Sequence, residues 1–122
     1  MDAALIASGA IAGALLRWRL AGSGQPSWHR VAAINIAGSF ALGALAGRFS
    51  APDARPRVLL CLGTGFMGSL TTFSTFSLDV VLLLEQGALL RAAALAAGTP
   101  VLGVGACAAG LAVGRRALQR SL

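Results

Sequence analysis

Residues 63–77 read Gly-Thr-Gly-Phe-Met-Gly-Ser-Leu-Thr-Thr-Phe-Ser-Thr-Phe-Ser, inside an apolar run that extends from Val58 to Leu84. Gly63, Gly65 and Gly68 are poor helix formers, and the Thr/Ser cluster adds β-branching and hydroxyls that compete for backbone hydrogen bonds. A continuous helix over the whole run would be about 40 Å long, against a bilayer hydrocarbon core of about 30 Å. A break in mid-membrane accounts for the surplus. Irregular backbone at that depth is tolerated only when buried in protein or lining a cavity, and the carbonyls it frees make a natural cation site. The same residues have a plainer use, with hydroxyls bonded to the preceding turn and glycines letting neighbouring helices approach. Local chemistry leaves both readings open.

The rest of the chain places this run among membrane spans. Of 122 residues, 57% are hydrophobic and 11% charged, whereas soluble domains carry about 25% charged residues. Most of the 16 glycines lie within apolar runs, as they do in membrane helices. Four spans follow, at about 3–21, 31–49, 58–84 and 92–113. The loops between them are Gly22 to His29, Ser50 to Pro56 with its two prolines, and Glu85 to Arg91. Asp2 precedes the first run and Arg17 and Arg19 follow it, the reverse of a signal peptide.

The net charge of +6 rests on arginine alone, because the chain has no lysine. The arginines gather at span ends, where they anchor to headgroups, and form no continuous basic face for a nucleic acid. Arg48, Arg55, Arg57, Arg115, Arg116 and Arg120 fall on the side of the termini; Arg17, Arg19, Arg30 and Arg91 fall on the other. That bias is weak under the positive-inside rule, and so near-balanced a chain is suited to insertion in both orientations. Cys61 and Cys107 sit alone in apolar stretches, and His29 is the single histidine, so no Cys/His metal site can be assembled.

Phe73 and Phe76, three residues apart, share a helical face. An aromatic edge is positive and can receive an anion without a charged residue; packing is the ordinary role of such a pair. Their setting among Ser69, Thr71, Thr72, Ser74, Thr75 and Ser77 makes the anion role competitive. Asn35 is the strongly polar residue inside the second span and opens the string Asn35 to Gly43, NIAGSFALG. It offers a donor and an acceptor, for a bond between helices or for a dehydrated anion.

At this point the motifs resemble the Fluc (CrcB) fluoride channels. The string from Gly65 to Phe76 looks like that family's third-helix signature, Asn35 to Phe40 resembles its second-helix motif, and Gly13 to Trp18 its first-helix ending. The resemblance implies an all-α fold of four transmembrane helices with the third broken in mid-membrane. It further implies an antiparallel, dual-topology dimer with two narrow fluoride pores in the cell (inner) membrane. It implies a structural sodium ion at the dimer centre, on the backbone carbonyls of Gly68 and Thr71 from each subunit. Phe73, Phe76 and Asn35 match the pore residues, Ser74, Thr75 and Thr99 are candidates for its hydroxyl track, and Arg17, Gly38 and Ser39 for structural roles. The family often has glycine where this chain has Ser69, and its fourth span carries more hydroxyls than Thr99 supplies here.

Passive conduction fits such a lining, because a fluoride pore must replace tightly held water with hydrogen-bond donors and positive dipoles. The partner is a second copy of the chain or a paralogue, in which case this chain is a non-conducting subunit of a heterodimer. The rival of another class is a small dual-topology proton-coupled exporter, which needs a carboxylate inside the membrane. Asp79 is its one candidate, otherwise an anchor or hydrogen-bond acceptor toward the end of the third span. No nucleophile, base or metal cluster points to an enzyme.

Overall fold

The computed structural model describes residues 2–22, 27–50 and 56–120, and every regular element among them is helical. In chain order these are α1 (Asp2–Ala21), α2 (Trp28–Arg48), α3 (Pro56–Val58), a π-helical run (Leu59–Met67), α4 (Gly68–Leu70), α5 (Phe73–Glu85) and α6 (Leu89–Gln119). Among the described residues four stretches are long and apolar enough to cross a membrane: Asp2–Ala21, Trp28–Arg48, Leu59–Glu85 and Leu89–Gln119. Large apolar side chains stand out from their surfaces, Leu90 at 85% and Val104 at 73% exposed. Water would not tolerate that surface and lipid solvates it, so the chain is a multi-pass membrane protein.

Two helices run past the apolar segments that announce them. α2 opens at Trp28 rather than Val31, and α6 occupies Leu89–Gln119, beyond the 92–113 segment at both ends. Hydropathy marks the edge of the hydrocarbon, whereas helical backbone continues into the headgroups wherever the residues are good helix formers, as Ala117, Leu118 and Gln119 are. At 31 residues α6 is about 46 Å long, so Arg115 and Arg116 extend beyond the core. Of the first two loops, residues 23–26 and 51–55, Arg55 included, lie outside the described residues.

Glycine sets how closely the helices meet. α1 lies along the π-helical run and α4, and a Cβ added at Gly9 or Gly13 would collide with the Cys61 and Phe66 carbonyls. α2 lies along α6 in the same manner. Gly43 and Gly47 face the carbonyls of Cys107 and Leu111, while Gly110 and Gly114 face those of Phe40 and Ala44. Such backbone contact is the usual basis of helix association in lipid. It also coincides with the wide helix: nine residues of π-helix, Leu59–Met67, stand where α1 presses in, although π geometry mostly occurs as single turns. The side-chain core is small. Val31, Phe76, Leu83, Ala92 and Leu95 join α2, α5 and α6.

The turn from α5 to α6 is short. Ala88 N–H bonds to Leu83 C=O at 2.9 Å and Gly87 N–H to Leu84 C=O at 2.9 Å, a Schellman closure. Gly87 holds φ +70°, the left-handed conformation this closure requires. Gly87→Ala is expected to cost about 1–2 kcal/mol, read as a modest fall in the thermal midpoint of the detergent-solubilised protein with its transport rate unchanged.

Candidate functional site

Between α4 and α5 the chain leaves helical geometry for two residues. Thr71 has φ −80°, ψ 151° and Thr72 has φ −147°, ψ 126°. Buried backbone groups must find partners, and here they come from side chains. Thr72 N–H donates to Asn35 Oδ1 at 2.9 Å, and Asn35 Nδ2 donates to Thr72 C=O at 2.9 Å. Thr75 N–H, at the start of α5, donates to Thr72 Oγ1 at 3.4 Å, an N-cap. The Thr71 hydroxyl donates to Met67 C=O at 2.9 Å. Arg17 of α1 reaches the Thr71 carbonyl at 3.5 Å.

Two carbonyls thereby lose their ordinary helical donors. In an α-helix Gly68 C=O would receive Thr72 N–H, which goes to Asn35, and Thr71 C=O would receive Thr75 N–H, which goes to the Thr72 hydroxyl. These are the oxygens on which the family resemblance sets a sodium ion. As neutral, displaced carbonyls they suit a hard monovalent cation, whereas tightly held divalent ions normally take carboxylates. Gly68 is exposed, and a Cβ built on it would have no atom within 4 Å.

A cleft of about 600 Å³ opens beside this interruption. It gathers Asn35, Gly68, Thr71, Phe73, Phe76 and Thr99, together with Ser39, and among the described residues no acidic or basic side chain lines it. Phe76 is 8% exposed and belongs to the core, while Phe73 is 80% exposed and projects from the surface of the chain. Their ring centroids lie 5.8 Å apart at 40°. Ser39 Oγ is spent on Asn35 C=O at 2.8 Å, and Gly38 leaves room for Thr71, whose Cγ2 would be 2.5 Å from a Cβ there. Pro100 stands in α6 beside buried Thr99, and its missing N–H removes a bond to the Ala96 carbonyl.

Ser74 and Thr75 are not in the cleft. Thr75 lines a second cavity of about 220 Å³ with Arg17, Trp18 and Thr72, on another side of the interruption. Ser74 Oγ pairs with Thr72 Oγ1 at 3.2 Å. Asp79 is no interfacial anchor: it is 3% exposed, and its Oδ2 has no hydrogen-bond partner among the described residues. On α5 it shares the face of Phe76 and Leu83, at helical spacing, and that face packs on α6. Sequence position along the span suggested the interface; the helical phase, which buries it, was legible from those two neighbours.

A lipid-embedded four-helix chain with an uncharged cleft of phenylalanine rings, hydroxyls and one amide belongs to the class of small membrane transport proteins. The family model described as CrcB-like protein, Camphor Resistance (CrcB), matches residues 4–111. The "Fluoride-specific ion channel FluC 2" of Synechococcus sp. (strain CC9902) is 43% identical over 92% of this chain and 78% of its own length. The "Fluoride-specific ion channel FluC" of Stutzerimonas stutzeri (strain A1501) is 41% identical over 90% of this chain and 94% of its own. That of Rhodospirillum centenum (strain ATCC 51521 / SW) is 41% identical over 93% and 94%. The chain is a member of the CrcB family.

Proposed function

We propose that this chain is a passive fluoride-selective channel that lets cytoplasmic fluoride leave the cell down its electrochemical gradient. The observation that carries the reading is the cleft, where Asn35, Thr71, Thr99 and the two phenylalanines meet with no charged side chain among them. A lining of donors and ring edges can replace the water of a small, strongly accepting anion. One hydrogen of Asn35 Nδ2 remains after Thr72 is paired, and ring edges supply positive charge density without binding too tightly for release. Fluoride enters cells as neutral HF from acid surroundings and is trapped as the anion, and a negative interior drives it out through such a path.

The working unit is an antiparallel dimer in which the Thr71–Thr72 interruption lies at mid-membrane. The open face at Gly68 and the projecting Phe73 ring support it, since both await a neighbour. In that dimer the Gly68 and Thr71 carbonyls of both subunits would hold a structural sodium ion. When bound, it supplies a fixed positive charge at the centre of the protein. The second subunit is another copy or a paralogue; relatives bear the names FluC 1 and FluC 2. A proton-coupled exporter is the second reading, favoured by the buried Asp79 carboxylate.

Liposomes loaded with fluoride and containing this chain alone test the proposal. They are expected to release fluoride without a pH gradient and to retain chloride. Equal rates for both anions, or release only under a proton gradient, would overturn the channel reading. A silent chain that becomes active with a paralogue would assign it to a heterodimer.

A further inference from the structure

We infer that Asn35 is a positioning residue: α2 uses its side-chain amide as a one-residue β-bridge that fixes the Thr72 peptide and so sets where the third span is interrupted. The inference rests on the channel reading for its consequence, and on geometry alone for its structural content. A peptide N–H can only donate and a peptide C=O can only accept, so the two 2.9 Å contacts orient the amide with Oδ1 on Thr72 N–H and Nδ2 on Thr72 C=O. Both groups of one peptide residue are thus taken by a single side chain on another helix, the pairing an antiparallel strand would offer.

The bridge decides the break. Thr72 N–H is the donor that a continuous helix would return to Gly68 C=O. Held by Asn35, it cannot do so, and the Gly68 oxygen stays free for the cleft side. The arrangement around Asn35 serves this hold. Ser39 Oγ is bonded to the Asn35 carbonyl at 2.8 Å, one turn along α2. Gly38, the residue before Ser39, gives the Thr71 methyl its space, which a Cβ would occupy. Arg17 approaches the Thr71 carbonyl from α1, so the two extended residues are gripped by two different helices. Asn35 therefore acts on fluoride chiefly through the backbone it positions, with a single N–H left for the anion itself.

Hydrogen exchange read by NMR on the full chain in lipid micelles tests this at one atom pair. In the wild type the Thr72 amide is expected to be protected. Asn35→Ala removes its acceptor, and exchange at Thr72 should rise roughly five- to tenfold, while amides of Leu83 and Leu95 keep their rates. Asn35→Asp keeps the acceptor oxygen for Thr72 N–H while exchanging the amide donor for a second carboxyl oxygen and an ionisable group, so the Thr72 amide should stay protected. Fluoride release should fall about tenfold or more in Asn35→Ala. Unchanged Thr72 exchange in Asn35→Ala would overturn the bridge, as would faster exchange spread evenly along α5 and α6. Equal exposure of Thr72 in the Ala and Asp variants would also overturn it. The exchange rates do not depend on conduction, so a wild-type chain that carries no fluoride removes the channel reading and leaves this measurement decisive.

Discussion

Phe73→Ile is expected to reduce fluoride release about tenfold or more, and Phe76→Ile to do the same, with the protein still assembled in both cases. Isoleucine keeps apolar bulk but has no ring, so the positive edge that can receive an anion disappears. Each decade in rate corresponds to about 1.4 kcal/mol of barrier, within reach of one lost ring contact in a site with little water. The two positions separate function from packing. Phe76 is 8% exposed and touches the core of Val31, Leu83, Ala92 and Leu95, so its substitution also costs stability. Phe73 is 80% exposed and has little packing within a single chain to lose. A large loss at Phe73 with an unchanged thermal midpoint therefore reports on the anion path. Normal release from both variants would make the pair packing residues and remove the anion-edge argument.

The chemistry that marks this region was legible in the sequence; its exact architecture was not. Three glycines and a run of β-branched hydroxyl residues identify 63–77 as the weak part of the third span, since each lowers helix propensity where it stands. The helix nevertheless survives all three glycines and yields only at Thr71 and Thr72. Propensity spreads its signal over many residues, whereas the location depends on a partner 37 positions away, the Asn35 amide that draws Thr72 out of the helix. Of the two roles open to Asn35, the bond between helices is present, and it is made to backbone rather than to another side chain. The glycines divide in a way no spacing rule could separate. Gly9, Gly13 and Gly65 press against neighbouring backbone, while Gly68 faces open space.

The hydroxyls divide as well. Thr71 and Thr99 reach the cleft, but Thr75 turns to the cavity of Arg17 and Ser74 pairs with Thr72. A helix advances about 100° per residue, so neighbours in a Ser/Thr-rich string cannot all line one path. Their phase becomes readable only once the start of α5 at Phe73 is known. The π-helical run Leu59–Met67 has no signal of its own in the sequence, because its residues are ordinary helix formers apart from Gly63 and Gly65, of which Gly65 meets α1.

Gly68→Val is expected to silence fluoride release although a Cβ at this position meets nothing within 4 Å in a single chain. Gly68 holds φ −62°, ψ −29°, helical values open to any residue, so the substitution carries no backbone strain. Valine is, if anything, a slightly better helix former than glycine, and the space beside this site is open. A large effect on assembly must therefore come from outside the single chain, whereas release can also fall because Gly68 lines the cleft. In the proposed dimer this position lies where the two interrupted spans cross, beside the carbonyls assigned to the cation, and two added branches would hold the chains apart. The expected result is a protein with wild-type helicity that runs as a monomer in detergent and releases fluoride at the rate of empty liposomes. Gly68→Val protein that still assembles and conducts would mean that the partner meets another face, and the site for sodium would have to move with it.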